Sequence, residues 1–260
     1  MDRFLHESTP GSTVAAYNAL AHIYDHVMRH VDYGDWFSLI QRIHMARFRH
    51  MPSICEVGAG TGTLGHMLSQ AGYHYIASDA SPAMCRAARA KGAPVMLCCD
   101  ATGMALNASF DMVLFLYDGI NYLTDLDAYA RFFAESYRCL RPGGILLFDI
   151  TTDYNSRRYF QDVLDHEETG TFEYIRKSRY DKKKHIQYND FSIFIRNGPH
   201  APHYTKYQER HVQYVFPVRD ITRTIDTDRF SIIGIWDGFS FDRWKKTSER
   251  IHFCLKKNAR

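Results

Sequence analysis

A chain of 260 residues with 45% hydrophobic residues is long enough to bury one large core, or one core carrying a sizeable insertion. Its formal net charge of +3 is too small to argue by itself for a nucleic-acid partner, no apolar run approaches the length of a membrane span, and the opening Met1-Asp2-Arg3-Phe4-Leu5-His6-Glu7 lacks the apolar stretch of a secretory signal. Six cysteines, at 55, 85, 98, 99, 139 and 254, show no C-x-x-C spacing; most fall in segments that read as strand or helix, so they are expected as small buried hydrophobes in a reducing cytoplasm.

Residues 1 to about 12 read as loose, with Pro10-Gly11-Ser12 as a breaker. Apolar groups at Ala16, Leu20, Ile23, Val27 and Val31 predict a helix over 13–31, and a second helix is expected over 35–47. Pro52 ends that region, and strand and helix then alternate as in a parallel sheet. Strands are predicted over 53–57, 73–78, 95–99, 110–116 and 145–150, and helices over 63–70, 83–90 and 125–140. Ser81-Pro82 caps and opens the 83–90 helix, while Arg141-Pro142-Gly143-Gly144 is expected as a turn.

The first strand ends in Glu56-Val57-Gly58-Ala59-Gly60-Thr61-Gly62. A glycine-rich strand-to-helix turn lets a ligand approach bare backbone. The dinucleotide fingerprint is G-x-G-x-x-G, but here the third glycine comes one residue early and Thr63 stands where it would be. Glu56 before the turn offers nothing to a pyrophosphate and suits a cation. The pattern therefore points to S-adenosylmethionine rather than NAD or FAD. Asp79 ends the second strand, 19 positions after Gly60, where an acid receives ribose hydroxyls. Asp100-Ala101 ends the third strand, where an acid accepts from an adenine amino group. The fourth strand leads into Leu116-Tyr117-Asp118-Gly119-Ile120-Asn121-Tyr122, expected as the floor between cofactor and acceptor.

After residue 150 the texture changes. The segments 171–180, 184–195 and 204–216 alternate aromatic or aliphatic residues with charged ones, as antiparallel strands with one wet face do. A short helix over 217–226 and two closing strands over 230–236 and 251–257 complete the chain.

Glu56 to Gly62, Asp79, Asp100, Tyr117-Asp118-Gly119-Ile120-Asn121-Tyr122-Leu123 and Leu140-Arg141-Pro142-Gly143-Gly144 together resemble the class I S-adenosylmethionine-dependent methyltransferases. The likeness extends to Tyr24-Asp25-His26-Val27-Met28, Tyr33 and Trp36, to Glu209-Arg210-His211, and to Ser248-Glu249-Arg250-Ile251-His252-Phe253, as in small bacterial enzymes of that class. The resemblance implies an α/β, Rossmann-like seven-stranded core with an antiparallel β insertion. Its parts are a helical cap over 1–50, a cofactor-binding core over 51–152, a lid over 153–216 and a completion of the sheet over 217–260. It also implies that N-terminal tyrosines close over the methionine end of the cofactor. Relatives tend to carry a serine where Gly119 stands, which implies a larger acceptor pocket here.

The expected cofactor-binding residues are Tyr17, Tyr24, Glu56, Gly58, Ala59, Gly60, Gly62, Asp79, Ala80, Met84, Asp100, Ala101, Tyr117 and Asp118. Asn121, Tyr122 and His211 are the catalytic candidates, and these three with Tyr33 and Trp36 are expected at the acceptor. Tyr17 and Tyr24, seven apart, would share one helix face. No metal is expected: Cys98 and Cys99 point to opposite faces of a strand, and His200-Ala201-Pro202-His203 has no third ligand.

The sequence thus predicts a cytoplasmic methyltransferase, monomer or homodimer, acting on a small-molecule N or O acceptor and yielding S-adenosylhomocysteine. Two other readings stay open. Arg176-Lys177 with Lys182-Lys183-Lys184 suits an RNA or tRNA methyltransferase, although the N/D-P-P-Y and Pro-Cys motifs of nucleic-acid base methylation are absent. A non-catalytic S-adenosylmethionine-binding protein would keep the glycine turn and lack an acceptor pocket.

Overall fold

The computed structural model describes residues 12–93, 95–107, 109–198 and 201–259. The expected loose segment over 1 to about 12 lies, except for Ser12, outside the described residues, as does His200 of the proposed histidine pair.

The described chain opens with a short strand β1 (Ser12–Thr13), a 3-10 turn (Leu20–His22) and a one-turn helix α1 (Tyr24–Val27), followed by α2 (Tyr33–Arg47). The continuous helix expected over 13–31 does not form. Tyr17 sits in left-handed backbone at φ 64°, and its N–H, with those of Ala19 and Leu20, is taken by the Glu209 carboxylate rather than by carbonyls one turn back. Leu20 and Ile23 are buried as the apolar stripe requires, so burial was foreseeable and the backbone was not. Asp32 caps α2 by accepting from the Gly34 N–H at 2.8 Å, which starts the helix two residues before the predicted 35–47.

The alternation that follows is β2 (Ser53–Val57), α3 (Thr63–Gln70), β3 (His74–Asp79), α4 (Pro82–Ala90), β4 (Met96–Cys98), β5 (Phe110–Phe115), a 3-10 turn (Gly119–Tyr122), α5 (Leu126–Cys139) and β6 (Leu140–Thr151). Ser81 caps α4 through the Met84 N–H, with Pro82 in its first turn. The turn predicted at 141–144 is absorbed into β6 as a bulge: the register skips from Phe110 opposite Leu140 to Met112 opposite Ile145, with Gly143 at φ 78°. The remaining elements are α6 (Asp153–Tyr159), β7 (Val163–Glu168), β8 (Phe172–Asp181), β9 (Ile186–Arg196), β10 (Tyr204–Tyr214), α7 (Val218–Thr224), β11 (Phe230–Asp237) and β12 (Arg250–Lys257). Neither α6 nor β7 was predicted.

Seven strands form one sheet in the order β11-β12-β6-β5-β2-β3-β4. The pairs from β4 through β6 are parallel, and β12 inserts antiparallel between β6 and β11. Strand order reverses at β2, whose two neighbours are β3 and β5, and a crevice opens there beyond the strands' carboxyl ends. Successive residues of β5 bury opposite faces. Met112 and Leu114 join the cluster under α2 and α3, while Val113 and Phe115 join the one under α5. Cys55, Cys85, Cys139 and Cys254 are buried, whereas Cys98 is exposed and Cys99 half-buried because β4 is the sheet edge.

The second sheet has the order β1-β10-β9-β8-β7 and covers the carboxyl-end crevice. Its inner face carries Gln187, Asn189, Phe191 and Ile193 from β9 and Glu209, His211 and Gln213 from β10, all buried.

A Cβ built on Gly65 of α3 would lie 2.3 Å from the Tyr75 ring. Alanine gains about 1 kcal/mol of helix propensity over glycine, while overpacking costs about 1–3 kcal/mol or more. Gly65→Ala is therefore expected to lower the unfolding free energy in urea titrations by about 1–3 kcal/mol. A more stable variant would show that Tyr75 is free to yield.

Candidate functional site

The turn after β2 places Gly58, Gly60 and Gly62 at φ 65°, 58° and 79°, a region that side chains strongly disfavour. At Gly58 sterics act as well, since a Cβ would lie 2.7 Å from the Phe115 ring. Asp79, at the end of β3, clamps the turn: Oδ2 accepts from the Gly60 N–H at 2.9 Å and Oδ1 from the Ser81 N–H at 2.8 Å. Burial raises its pKa against the lowering effect of those two bonds. Each oxygen keeps a second lone pair for a ligand hydroxyl.

From this turn a cavity of about 830 Å³ runs to the inner face of the second sheet. The structure brings to it, among the predicted cofactor residues, Gly58, Gly60, Asp79, Ala80, Met84, Ala101, Tyr117 and Asp118, with Tyr17 and Tyr24 from the N-terminal segment. Those two rings meet edge to face at 6.0 Å, not through a shared helix face but because the left-handed turn at Tyr17 folds it back. Tyr122 and His211 also line the cavity.

Other expected residues do not line it. Glu56 is buried beneath the sheet end, where its Oε2 accepts from the Tyr75 hydroxyl, and desolvation pushes its pKa up to about 7 against that bond. Ala59 and Gly62 shape the turn without lining the cavity, the Ala59 N–H being bonded to the Ser78 carbonyl. Asp100 is exposed and accepts from the N–H and hydroxyl of Thr102. Asn121 is fully buried, with its amide nitrogen on the Tyr214 carbonyl at 2.8 Å and its oxygen on the Thr151 N–H at 3.0 Å, so it ties β6 to β10. Tyr33 and Trp36 pack in the core under α2, with Trp36 edge to face on Phe239 and His252. Gly119 does line the cavity, but the room it leaves is filled: a Cβ there would stand 2.4 Å from Phe115.

Tyr117 and Asp118 occupy left-handed backbone in succession, at φ 57° and 49°, a strained arrangement that needs external support. Asp149 on β6 provides it by accepting from the Asp118 N–H at 2.9 Å. Arg250 on β12 lies between the two carboxylates, 2.8 Å from Asp118 and in direct contact with Asp149, with its guanidinium 4.6 Å from the centre of the Tyr117 ring. The two acids raise the Arg250 pKa further, against burial. From the second sheet, Gln213 donates to the other Asp118 oxygen.

Over the floor, the Tyr17 hydroxyl donates to the Tyr122 hydroxyl at 2.6 Å, and Tyr122 lies 3.2 Å from His211 Nδ1. His211 Nε2 is 3.0 Å from Glu209 Oε2. Burial opposes ionisation of Glu209, yet bonds from His211 and from the Leu20 and Ala19 N–H groups hold its carboxyl below the usual range.

Sequence reasoning missed Asp149 and Arg250, and the cavity-lining Asn155, Gln187, Asn189 and Gln213. Glu209 and His211, two apart on one strand, must share a face, and that spacing was the available signal. Among the described residues no group of three His, Cys, Asp or Glu side chains could hold a metal.

A family model described as a methyltransferase domain matches residues 54–144. A Bacillus subtilis protein named as a methyltransferase, YqeM, is 26% identical over 249 residues, spanning 93% of this chain and 97% of its own. The crystal structure of an S-adenosylmethionine-dependent methyltransferase from Clostridium acetobutylicum shares the fold with a TM-score of 0.79 at 25% identity, over 94% of this chain and 99% of that one. A sugar N-methyltransferase from a Streptoalloteichus species gives a TM-score of 0.75 at 22% identity, over 97% and 99%.

The buried Glu56 carboxyl generates a pH prediction. Its folded pKa of about 7 lies above the ordinary carboxyl value near 4.5. The folded state thus holds a proton that the unfolded chain has lost, and stability falls as pH rises from about 4.5 to about 7. Glu56→Gln keeps the acceptor for Tyr75 and removes the titration. Its advantage over the wild type in denaturant titrations is expected to grow from pH 5 to pH 7 and then level off. A difference that stays flat with pH would contradict this.

Proposed function

Because the chain is a class I S-adenosylmethionine-dependent methyltransferase, we propose that it methylates a small polar molecule held between the 118–122 segment and the inner face of the lid sheet. The observation that carries this reading is the single cavity joining the glycine turn and Asp79 to Asn189, His211 and Gln213. Its volume of about 830 Å³ suits a small-molecule site.

The residues present fit the cofactor. Gly58 and Gly60 line the cavity with backbone, and Asp79 retains acceptor capacity for ribose hydroxyls. Ala80, Met84 and Ala101 give apolar walls for adenine, while Tyr17 and Tyr24 bring aromatic rings to a cation. The cofactor supplies a methyl group already activated on a sulfonium, so the protein's task is alignment and exclusion of water.

At the acceptor end Asn189 presents its amide nitrogen, its oxygen accepting from the Ser178 hydroxyl, which suits a hydroxyl- or amine-bearing molecule; Gln213 lines the cavity, but its amide is spent on Asp118 and Gln187. An amine attacks in its neutral form and needs no base. A hydroxyl must lose its proton, and Tyr122 backed by His211 Nδ1 provides a path for it. Asn121 has no part in this reading, because both ends of its amide are spent on backbone.

The basic run does not favour an RNA acceptor. Lys177, Arg179, Lys182, Lys183 and Lys184 are exposed and none lines the cavity; Arg176 alone of that stretch turns inward, where it pairs with Asp165. Six free cysteines agree with a reducing compartment.

Asp79→Ala is expected to weaken S-adenosylmethionine binding in calorimetry by about 1–3 kcal/mol, the cost of losing the turn clamp and a ligand partner. An unchanged dissociation constant would make Asp79 a turn residue only. An acceptor found by screening metabolites with methyl-labelled cofactor allows a second test. Tyr122→Phe is expected to slow a hydroxyl acceptor about 10²-fold or more and to leave an amine acceptor near the wild-type rate. Wild-type turnover of a hydroxyl acceptor would remove Tyr122 from the proton path.

A further inference from the structure

We propose that Glu209 is a positioning residue that makes docking of residues 17–20 over the site and preparation of His211 as a proton acceptor a single event. The inference rests on the cavity being the methyltransfer site.

Glu209 on β10 is 2% exposed and faces an apolar cluster containing Ala19, Leu20, Tyr174 and Phe191. A carboxylate is tenable there only if its lone pairs are filled. Four donors converge on it. The Tyr17 N–H reaches Oε2 at 2.9 Å, the Leu20 N–H reaches Oε1 at 3.0 Å, the Ala19 N–H also meets Oε1, and His211 Nε2 lies 3.0 Å from Oε2. Three of these donors come from the turn that replaces a helix at Tyr17. Among the described residues no other acceptor meets these three N–H groups; the Ser81 hydroxyl also holds the turn, by donating to the Tyr17 carbonyl at 3.2 Å.

The fourth contact fixes the histidine. An ionised carboxylate only accepts, so His211 Nε2 must carry a proton, and the neutral ring then offers Nδ1 as an acceptor. Nδ1 faces the Tyr122 hydroxyl at 3.2 Å, and the Tyr122 oxygen accepts from Tyr17 at 2.6 Å. Tyr17 is therefore bound to Glu209 twice: directly through its backbone, and through its hydroxyl by way of Tyr122 and His211. Lifting the N-terminal segment breaks both links. It strips three hydrogen bonds from the carboxylate and removes the donor that turns the Tyr122 proton toward His211. When an acceptor hydroxyl gives its proton to the Tyr122 oxygen, Tyr122 passes its own to Nδ1, and the resulting imidazolium rests on Glu209. The acceptor loses one proton and His211 gains one.

Nitrogen-15 NMR of the 260-residue chain saturated with S-adenosylhomocysteine reads this directly. The expected state of His211 is neutral, protonated on Nε2 and bare on Nδ1. Glu209→Gln keeps the side chain's size but offers one oxygen and an NH₂ group to four donors. It is expected to lose the Nε2–H preference and to bind S-adenosylhomocysteine about tenfold more weakly. Arg210→Gln, which faces outward and pairs with Asp190, is expected to change neither. His211 protonated on Nδ1 in the wild-type complex overturns the proposal even if Glu209→Gln fails to fold. So does a Glu209→Gln variant with wild-type tautomer and affinity. A wild-type protein that binds no S-adenosylhomocysteine overturns the underlying reading of the cavity, and this inference with it.

Discussion

The site depends first on a stretch of backbone that has to lie where side chains would otherwise be. Between Gly58 and Gly62 the chain turns from β2 into α3 through three left-handed residues, one of them against the Phe115 ring. Because β2 is flanked by β3 on one side and β5 on the other, this turn opens at the point where strand order reverses. Asp79 arrives from the next strand in register and holds the turn by the Gly60 N–H. The cavity, its apolar walls and its opening toward the lid all follow from that placement.

Above the turn, the parts are joined by buried charge. Gln213 of the second sheet reaches Asp118 on the floor, and Asp118 reaches Arg250 and Asp149 in the seven-stranded sheet. The N-terminal segment is held to the second sheet by Glu209, and to the core by Asp25, which meets Lys91 at 2.7 Å and accepts from the Thr61 hydroxyl. Ion pairs of this kind contribute modestly when exposed, but removing one partner of a buried pair typically costs 3–5 kcal/mol. The exposed Asp25–Lys91 clip is thus the weak point, and the buried Glu209 and Arg250 contacts set the closed arrangement.

The sheet was legible in the sequence because its signals are local. Alternating buried runs, Gly72 after α3, the Ser81 cap and Pro82 give strand and helix within a residue or two, except at the start of β6, which runs five residues earlier than expected. Gly58, Gly60 and Asp79 were readable because their backbone roles permit few residue types. The N-terminal segment was not, because its conformation is decided by a carboxylate nearly two hundred positions away. Asn121, Tyr33 and Trp36 carry polar or aromatic groups that look functional, yet a buried amide satisfies backbone and a buried indole fills a core equally well. Arg250 was invisible as a site residue since nothing local to β12 announces Asp118 and Asp149.

If the cavity walled by the glycine turn, the N-terminal segment and the second sheet binds the cofactor, all three segments must respond to the ligand together. Hydrogen exchange with and without S-adenosylhomocysteine tests it most directly, since local opening sets exchange at each amide. Slowed exchange is expected on ligand addition at Gly60, at Tyr17, Ala19 and Leu20, and along β10 from Glu209 to Gln213. Protection confined to the glycine turn, with the other two segments unchanged, would contradict it.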